Sequence, residues 1–340
     1  MGAGLIPAAT TWHKPLSLNW LKTLTGNLPF FCGGILPRLN RPAHGDRFPS
    51  LMIPRRMRLV FVLVLFMATG VVYVAQKSLK VDVDLVMVNV SVTDADNHSV
   101  SNLKAENFQI FEDKIEQKIR YFSSEAAPLS LGIVFDISHS MERKLDFAKD
   151  AAMKFLETGT PEDEYFLVEF ATRARLAEGF TTDIKRLRDR LSLTPAEGAT
   201  ALYDAVYLGL SKVKAGRHPK KALLLITDGE DNHSRYSRGD IRDVVRESDA
   251  QIYVIDLGRA LVGDLADMTG GHSYRTSVND LEDTCEKIAF ELKNQYVIGY
   301  ESTNQNKDGK FRKMRVRVTP PAGVTKLNAR ARDGYYAKTN

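Results

Sequence analysis

Disulfide chemistry is the first thing this chain goes without. Only two of its 340 residues are cysteines, Cys32 near the start and Cys285 far downstream, so the later part of the chain has no internal bridge to rely on. Cys285 falls in the series Leu281, Cys285, Ile288, Ala289, Leu292, the apolar stripe of a helix, where an inert buried thiol is expected. Also missing are a Gly-x-Ser-x-Gly nucleophile turn, a glycine-rich phosphate loop and histidines at metal-ligand spacing. Those absences remove the common serine-hydrolase, nucleotide-cradling and histidine-held metal designs.

An excess of one charge is missing too, once position is considered. The net charge is +5, but Lys14, Lys22, Arg38, Arg41, Arg47, Arg55 and Arg56 stand against the single acid Asp46 in residues 1–56. Setting these aside from the totals of 47 and 42 leaves 40 basic and 41 acidic residues after position 56. A balanced body offers no basic face to a phosphate backbone, so nucleic acid is not expected as a partner.

The first 56 residues hold seven of the thirteen prolines and both tryptophans, with no period in their apolar residues. They read as a disordered leader, or as an upstream extension if translation starts at Met52 or Met57. Residues 57–76 read as a signal peptide or a single transmembrane anchor. Arg55, Arg56 and Arg58 flank a run, Leu59 to Ala75, without a charge and without a polar face for a core helix. The arginines favour a cytoplasmic N-terminal side, so everything after about Gln76 is expected outside the cytoplasm: periplasm, envelope or secreted, and held at the membrane through 59–75 if uncleaved.

Beyond the leader, valine-rich "VDLVMVNVSV", "FQIFED" and "QKIRYFS" read as antiparallel strands, and "QYVIGYES", "FRKMRVRVT" and "KLNARARDGYYA" repeat that texture at the far end. Each set alone is marginal for a core. A single β-sandwich assembled from 80–127 and 294–338 is therefore expected. Between them, over 128–293, apolar runs ("LGIVFD", "YFLVEFA", "ALLLITD", "QIYVIDLG") alternate with helical stripes such as Leu145, Ala148, Ala152, Phe155. That alternation predicts an α/β domain, doubly wound, its mostly parallel sheet covered by helices on both faces, with 174–180 as an antiparallel edge strand.

Ligands of such sheets sit beyond the carboxyl ends of the strands, where strand order reverses. Asp136 ends the first strand and is followed by Ser138 and Ser140 ("DISHS"). Asp228 ends the fourth, and Thr200 stands at a loop-to-helix junction. Taken singly these are ordinary features: Asp136 and Thr200 suit helix caps and "TDGEDN" suits a turn. Together they are two carboxylates and three hydroxyls at one sheet edge, a hard-oxygen set suited to Mg²⁺ or Mn²⁺, with Ca²⁺ a further candidate. Two carboxylates do not over-neutralise the ion, which can still draw in one more anionic ligand.

"DISHS" with Thr200 and Asp228 resembles the metal-ion-dependent adhesion site of von Willebrand factor type A domains, patterned Asp-x-Ser-x-Ser, distant Thr, distant Asp. The flanking "FEDKIEQKIRYFS" and "QYVIGYES…RARDGYYA" resemble a related group of acidobacterial proteins, the likeness spanning about 80–338. The resemblance implies a metal bound directly by Ser138 and Ser140, and directly or through water by Asp136, Thr200 and Asp228, with a partner's Asp or Glu completing the shell. One departure is His139, where the family has Gly; histidine tolerates positive φ, and the expected cost is crowding of the open position. The expected function is an exported, non-enzymatic, adhesion-type protein-binding module. The alternatives are a metal-dependent hydrolase and a structural envelope protein with a non-functional site. Against the hydrolase stand Ser138, where aspartyl-phosphate enzymes place a second Asp, and the lack of a lysine or histidine recognisable as an acid–base partner. The triplet "RGD" at 238–240 reads as a chance match at a helix start.

Overall fold

The computed structural model describes residues 85–321 and 326–339, all within the unit Lys80–Asn340. The leader and the apolar run 59–75 lie outside the described residues. Among the described residues no helix is long and apolar enough to cross a membrane.

The central sheet is built from β5 (Leu129–Asp136), β6 (Glu164–Phe170), β7 (Ala174–Thr181), β8 (Lys220–Thr227), β9 (Gln251–Asp256) and β10 (His272–Arg275), in the order β10-β9-β8-β5-β6-β7. All neighbours are parallel except β7, which runs antiparallel to β6 at the edge, as expected from the sequence. Every residue of β5 and β6 is buried. Their near-continuous apolar runs have this cause: helices cover both faces, so neither face can be polar.

Successive residues of β5 serve opposite faces. Leu131, Ile133 and Phe135 join Leu145, Ala148, Ala152 and Phe155 of α1 (Leu145–Glu157) and Leu281, Cys285 and Ile288 of α6 (Leu281–Lys293). Val134 instead meets Val206 and Leu210 of α3 (Leu202–Val213), and the same layer holds Ile241 and Val245 of α4 (Arg238–Glu247). Each large side chain so buried contributes about 1.5–3 kcal/mol. Two shorter helices, α2 (Ile184–Ser192) and α5 (Gly263–Thr269), complete the set of described α-helices. Arg238 opens α4 under a Ser237–Asp240 capping box, so the RGD triplet is a helix start, as read from the sequence.

The flanking segments interleave. β1 (Leu85–Thr93) and β4 (Ile119–Ser123) from before the domain lie beside β11 (Tyr296–Glu301) and β13 (Asn328–Arg330) from after it, in the order β13-β1-β11-β4. A second antiparallel sheet joins β2 (Phe108–Glu112) and β3 (Ile115–Gln117) to β12 (Phe311–Val318) and β14 (Gly334–Tyr336), in the order β14-β12-β2-β3. Val88, Val90, Ile110, Tyr296, Ile298, Tyr300 and Met314 pack between the sheets. Neither end could make this core alone.

Candidate metal centre

Strand order places the site. β5 pairs with β6 on one side and with β8 on the other, so chain direction across the sheet reverses beside β5, and the loops leaving β5 and β8 separate there. Phe135 is in register with Ile226, which brings Asp136 and Asp228 to one rim.

Asp136 is fully buried. Its Oδ1 accepts the Ser138 backbone N–H at 2.8 Å and its Oδ2 accepts the Thr227 hydroxyl. Burial pushes its carboxyl above the ordinary range and the nearby Asp228 charge adds to that, while the hydrogen bonds from Ser138 and Thr227 offset a part. Both oxygens already engaged on this chain favour contact with an ion through water rather than directly.

Ser138 and Ser140 carry the next layer. Their hydroxyl oxygens lie 3.1 Å apart, and the Ser140 hydroxyl donates to Asp228 Oδ1 at 2.7 Å. Ser138 precedes, and Ser140 lies within, a single 3₁₀ turn, His139–Met141, anchored by the fully buried Met141. The helix-cap reading of these residues does not hold. α1 begins only at Leu145, behind Lys144, and has no side-chain cap bond. α3 likewise starts behind Ala201 without one, so Thr200 does not cap it.

Thr200 is tied instead to the loop after β8. Its N–H donates to Asn232 Oδ1 at 2.9 Å, and its carbonyl accepts from the N–H groups of Asn232 at 3.0 Å and His233 at 3.2 Å. Gly229 sits between the hydroxyls: a Cβ there would stand 3.6 Å from Thr200 Oγ1 and 3.8 Å from Ser140 Oγ. Asp228 is held from behind by the end of β9. Leu257 N–H donates to the Thr227 carbonyl at 2.9 Å, and a Cβ on Gly258 would overlap the Asp228 carbonyl oxygen at 1.9 Å. All five residues singled out from the sequence therefore reach one rim.

The donor set fits a hard divalent ion. Ligand oxygens adjacent on an octahedral shell of radius about 2.1 Å stand about 3 Å apart, and the Ser138–Ser140 and Ser140–Asp228 oxygens are at 3.1 and 2.7 Å. Hydroxyl hydrogens need only rotate away to free the lone pairs for an ion. With oxygen donors alone, the set suits Mg²⁺ or Mn²⁺ better than Zn²⁺, which favours nitrogen and sulfur.

Three features were not read from the sequence. Lys144 reaches Asp228 Oδ2 at 2.6 Å and the Leu257 carbonyl at 3.2 Å. Thr227 holds Asp136 from beneath. Asp231 accepts the Tyr203 backbone N–H and the Ser234 hydroxyl, tying its loop to the start of α3. His139 also behaves differently from expectation: it is not among the non-glycine residues with positive φ (Asn97, Asn102, Asp113 and Lys114), so the turn does not require glycine. Its ring is 76% exposed, 4.0 Å from Glu142. A second carboxylate cluster, Asp94, Asp96 and His98, is an exposed turn in which Asp94 Oδ1 accepts the N–H groups of Asp96 and His98.

A doubly wound domain with an oxygen-lined rim at its switch point is thus the class that this geometry defines. Residues 131–230 match the family model described as von Willebrand factor type A domain. The human inter-alpha-trypsin inhibitor heavy chain H4 is 24% identical over 212 residues, covering 54% of this chain and 23% of that protein. The chain thus spans under a quarter of that relative's length. Among solved structures, the PilB minor pilin from Streptococcus sanguinis is 14% identical, covers 51% of this chain and 63% of that one, and gives a TM-score of 0.42. Proximal thread matrix protein 1 from the mussel byssus, with a zinc-occupied MIDAS motif, is 19% identical over 53% of this chain and 49% of that one, with a TM-score of 0.44.

Proposed function

We propose that this protein is an exported, metal-dependent protein-binding module. Asp136, Ser138, Ser140, Thr200 and Asp228 hold Mg²⁺ or Mn²⁺ (Ca²⁺ less readily), the two serines directly and Asp136 through water. A partner's Asp or Glu completes the shell. The observation that carries this reading is the convergence of hydroxyls and carboxylates from three separate loops on one rim, with the Ser138, Ser140 and Asp228 oxygens at octahedral spacing. Two carboxylates do not over-neutralise a divalent ion, and one open position gives an orientation-specific bond to an incoming carboxylate without chemistry. Location outside the cytoplasm rests on the apolar run 59–75 behind its arginines.

Binding rather than catalysis is favoured by the serines. An aspartyl-phosphate mechanism needs an acid–base carboxylate where Ser138 stands, and Lys144 is committed to Asp228 and Leu257. The test is chelator-sensitive capture from an envelope extract, comparing the chain with Asp136→Ala, alongside calorimetric titration with Mg²⁺, Mn²⁺ and Ca²⁺. Saturable heat and capture of a defined protein, both lost in Asp136→Ala, are the expected results. Silence with all three ions favours a structural role, and metal-dependent phosphoester hydrolysis lost in Asp136→Ala favours an enzyme.

A further inference from the structure

We infer that Lys144 is a built-in counter-charge of the rim site, which loosens the site's hold on its divalent ion and leaves more of the ion's charge for an anionic partner. This deepens the metal-site reading and rests on it. The Lys144 backbone is fixed just before α1, its N–H donating to the Met141 carbonyl at 2.8 Å, and its side chain turns back to Asp228. The two oxygens of that carboxylate are divided: Oδ1 takes the Ser140 hydroxyl and Oδ2 takes the ammonium at 2.6 Å. The Asp228 side chain is 3% exposed, so the pair is shielded from water on the carboxylate side and salt screens it weakly.

The charge count follows. Asp136 and Asp228 supply two negative charges, and Lys144 returns one. With a divalent ion the cluster carries a net positive charge, where two carboxylates alone would be neutralised. Glu142 and Glu230 are exposed and screened, and the Asp231 carboxylate is engaged by Ser234 and Tyr203, so none of them restores the balance at short range. A positive residual charge is what an incoming carboxylate requires. An ammonium beside the site is also what a tight metal trap would avoid.

The alternative is a prop: Lys144 positions Asp228, and its charge is incidental. The two differ in sign. If Lys144 is a counter-charge, its loss tightens metal binding; if it is a prop, its loss weakens it. The experiment titrates Mn²⁺ into the full chain and its Lys144→Gln, Lys144→Met and Lys144→Arg variants by calorimetry. Acetate is then added to the Mn²⁺-loaded proteins, and displacement of metal-bound water is followed by proton relaxation. Glutamine can still donate to Asp228 Oδ2 without the charge, so it keeps the contact while removing the field. About tenfold tighter Mn²⁺ binding is expected in Lys144→Gln and Lys144→Met, with acetate binding weakened several-fold and Lys144→Arg close to the parent. Unchanged or weaker Mn²⁺ binding in Lys144→Gln overturns the inference while the metal site stands. No Mn²⁺ binding by the parent chain removes the metal site itself, and the inference with it.

Discussion

Asp228 at the rim of the central sheet and Glu112 in the sandwich are both buried carboxylates surrounded by hydroxyls, yet they are finished differently. Glu112 is 2% exposed and is closed from three directions: Tyr300 donates to it at 2.8 Å, Ser302 at 2.6 Å and Tyr335 at 2.9 Å. The donors come from β11, the segment just after it and β14, and the acceptor from β2, so the cluster ties both sheets and both ends of the chain together. Asp228 instead shares its oxygens between a serine and a lysine, and the serine's hydroxyl adjoins that of Ser138, whose lone pairs remain available. A structural carboxylate is saturated by donors that have no other use. A binding carboxylate sits among groups that can exchange those bonds for a ligand.

The sharpest way to break this comparison is to delete one member of the rim. Asp136→Ala removes the acceptor beneath the serines, and metal affinity is expected to fall by about a hundredfold in calorimetry, with the secondary structure retained by circular dichroism. If Mg²⁺ and Mn²⁺ bind the variant as before, the ion lies elsewhere. Ser140→Ala, which leaves Asp136 in place, is expected to fall about tenfold.

The reciprocal change is Glu112→Ala. It leaves the Tyr300, Ser302 and Tyr335 hydroxyls without their acceptor inside the sandwich, at a cost of about 3 kcal/mol in denaturant unfolding. Metal affinity of the folded variant is expected to match the parent. A loss of Mn²⁺ binding at a Glu112 variant that is still folded would show that sandwich and rim are not separable in this way.

The same contrast explains what was readable in the sequence. Covered strands announce themselves as apolar runs, so the existence of β5, β6, β8 and β9 follows from periodicity and propensity, and the edge strand read over 174–180 is β7. Asp136, Ser138 and Ser140 are neighbours in the chain, and Thr200 and Asp228 occupy element ends, so all five were visible as a set. Lys144 and Thr227 were not. Lys144 meets its partner across 84 positions, and that pairing exists only because β5 and β8 are adjacent. A lysine at the threshold of the helix that follows the first strand, on the same rim as Asp228, was the available signal. Glu112 was equally hidden: in "FQIFED" it reads as the polar end of a strand, and only the arrival of three hydroxyls from the other end of the chain makes it a core residue.

The smallest expected effect lies at the amino end of β8, the strand whose carboxyl end leads into Asp228. Lys220 is 4% exposed, and its ammonium donates to the Leu292 carbonyl near the end of α6. Unlike Lys144 it has no carboxylate in contact among the described residues. Burial pushes it down to about 8, the nearby charge of Asp163 offsetting only a part. The sign follows from proton counts. Between about pH 8 and the ordinary lysine value near 10.5 the unfolded chain holds a proton that the folded chain has lost, so Lys220's contribution to stability rises with pH across that window. Below pH 8 the folded protein carries a buried charge that opposes folding. Lys220→Met should therefore raise stability near neutral pH by about 1–2 kcal/mol, the lost bond to Leu292 reducing the gain, and the advantage should fade as pH approaches 10. Urea midpoints at pH 7 and pH 10 measure it. A variant less stable than its parent at pH 7 would mean that the carbonyl contact outweighs the buried charge, and the contrast between a paired rim lysine and an unpaired buried one would not hold.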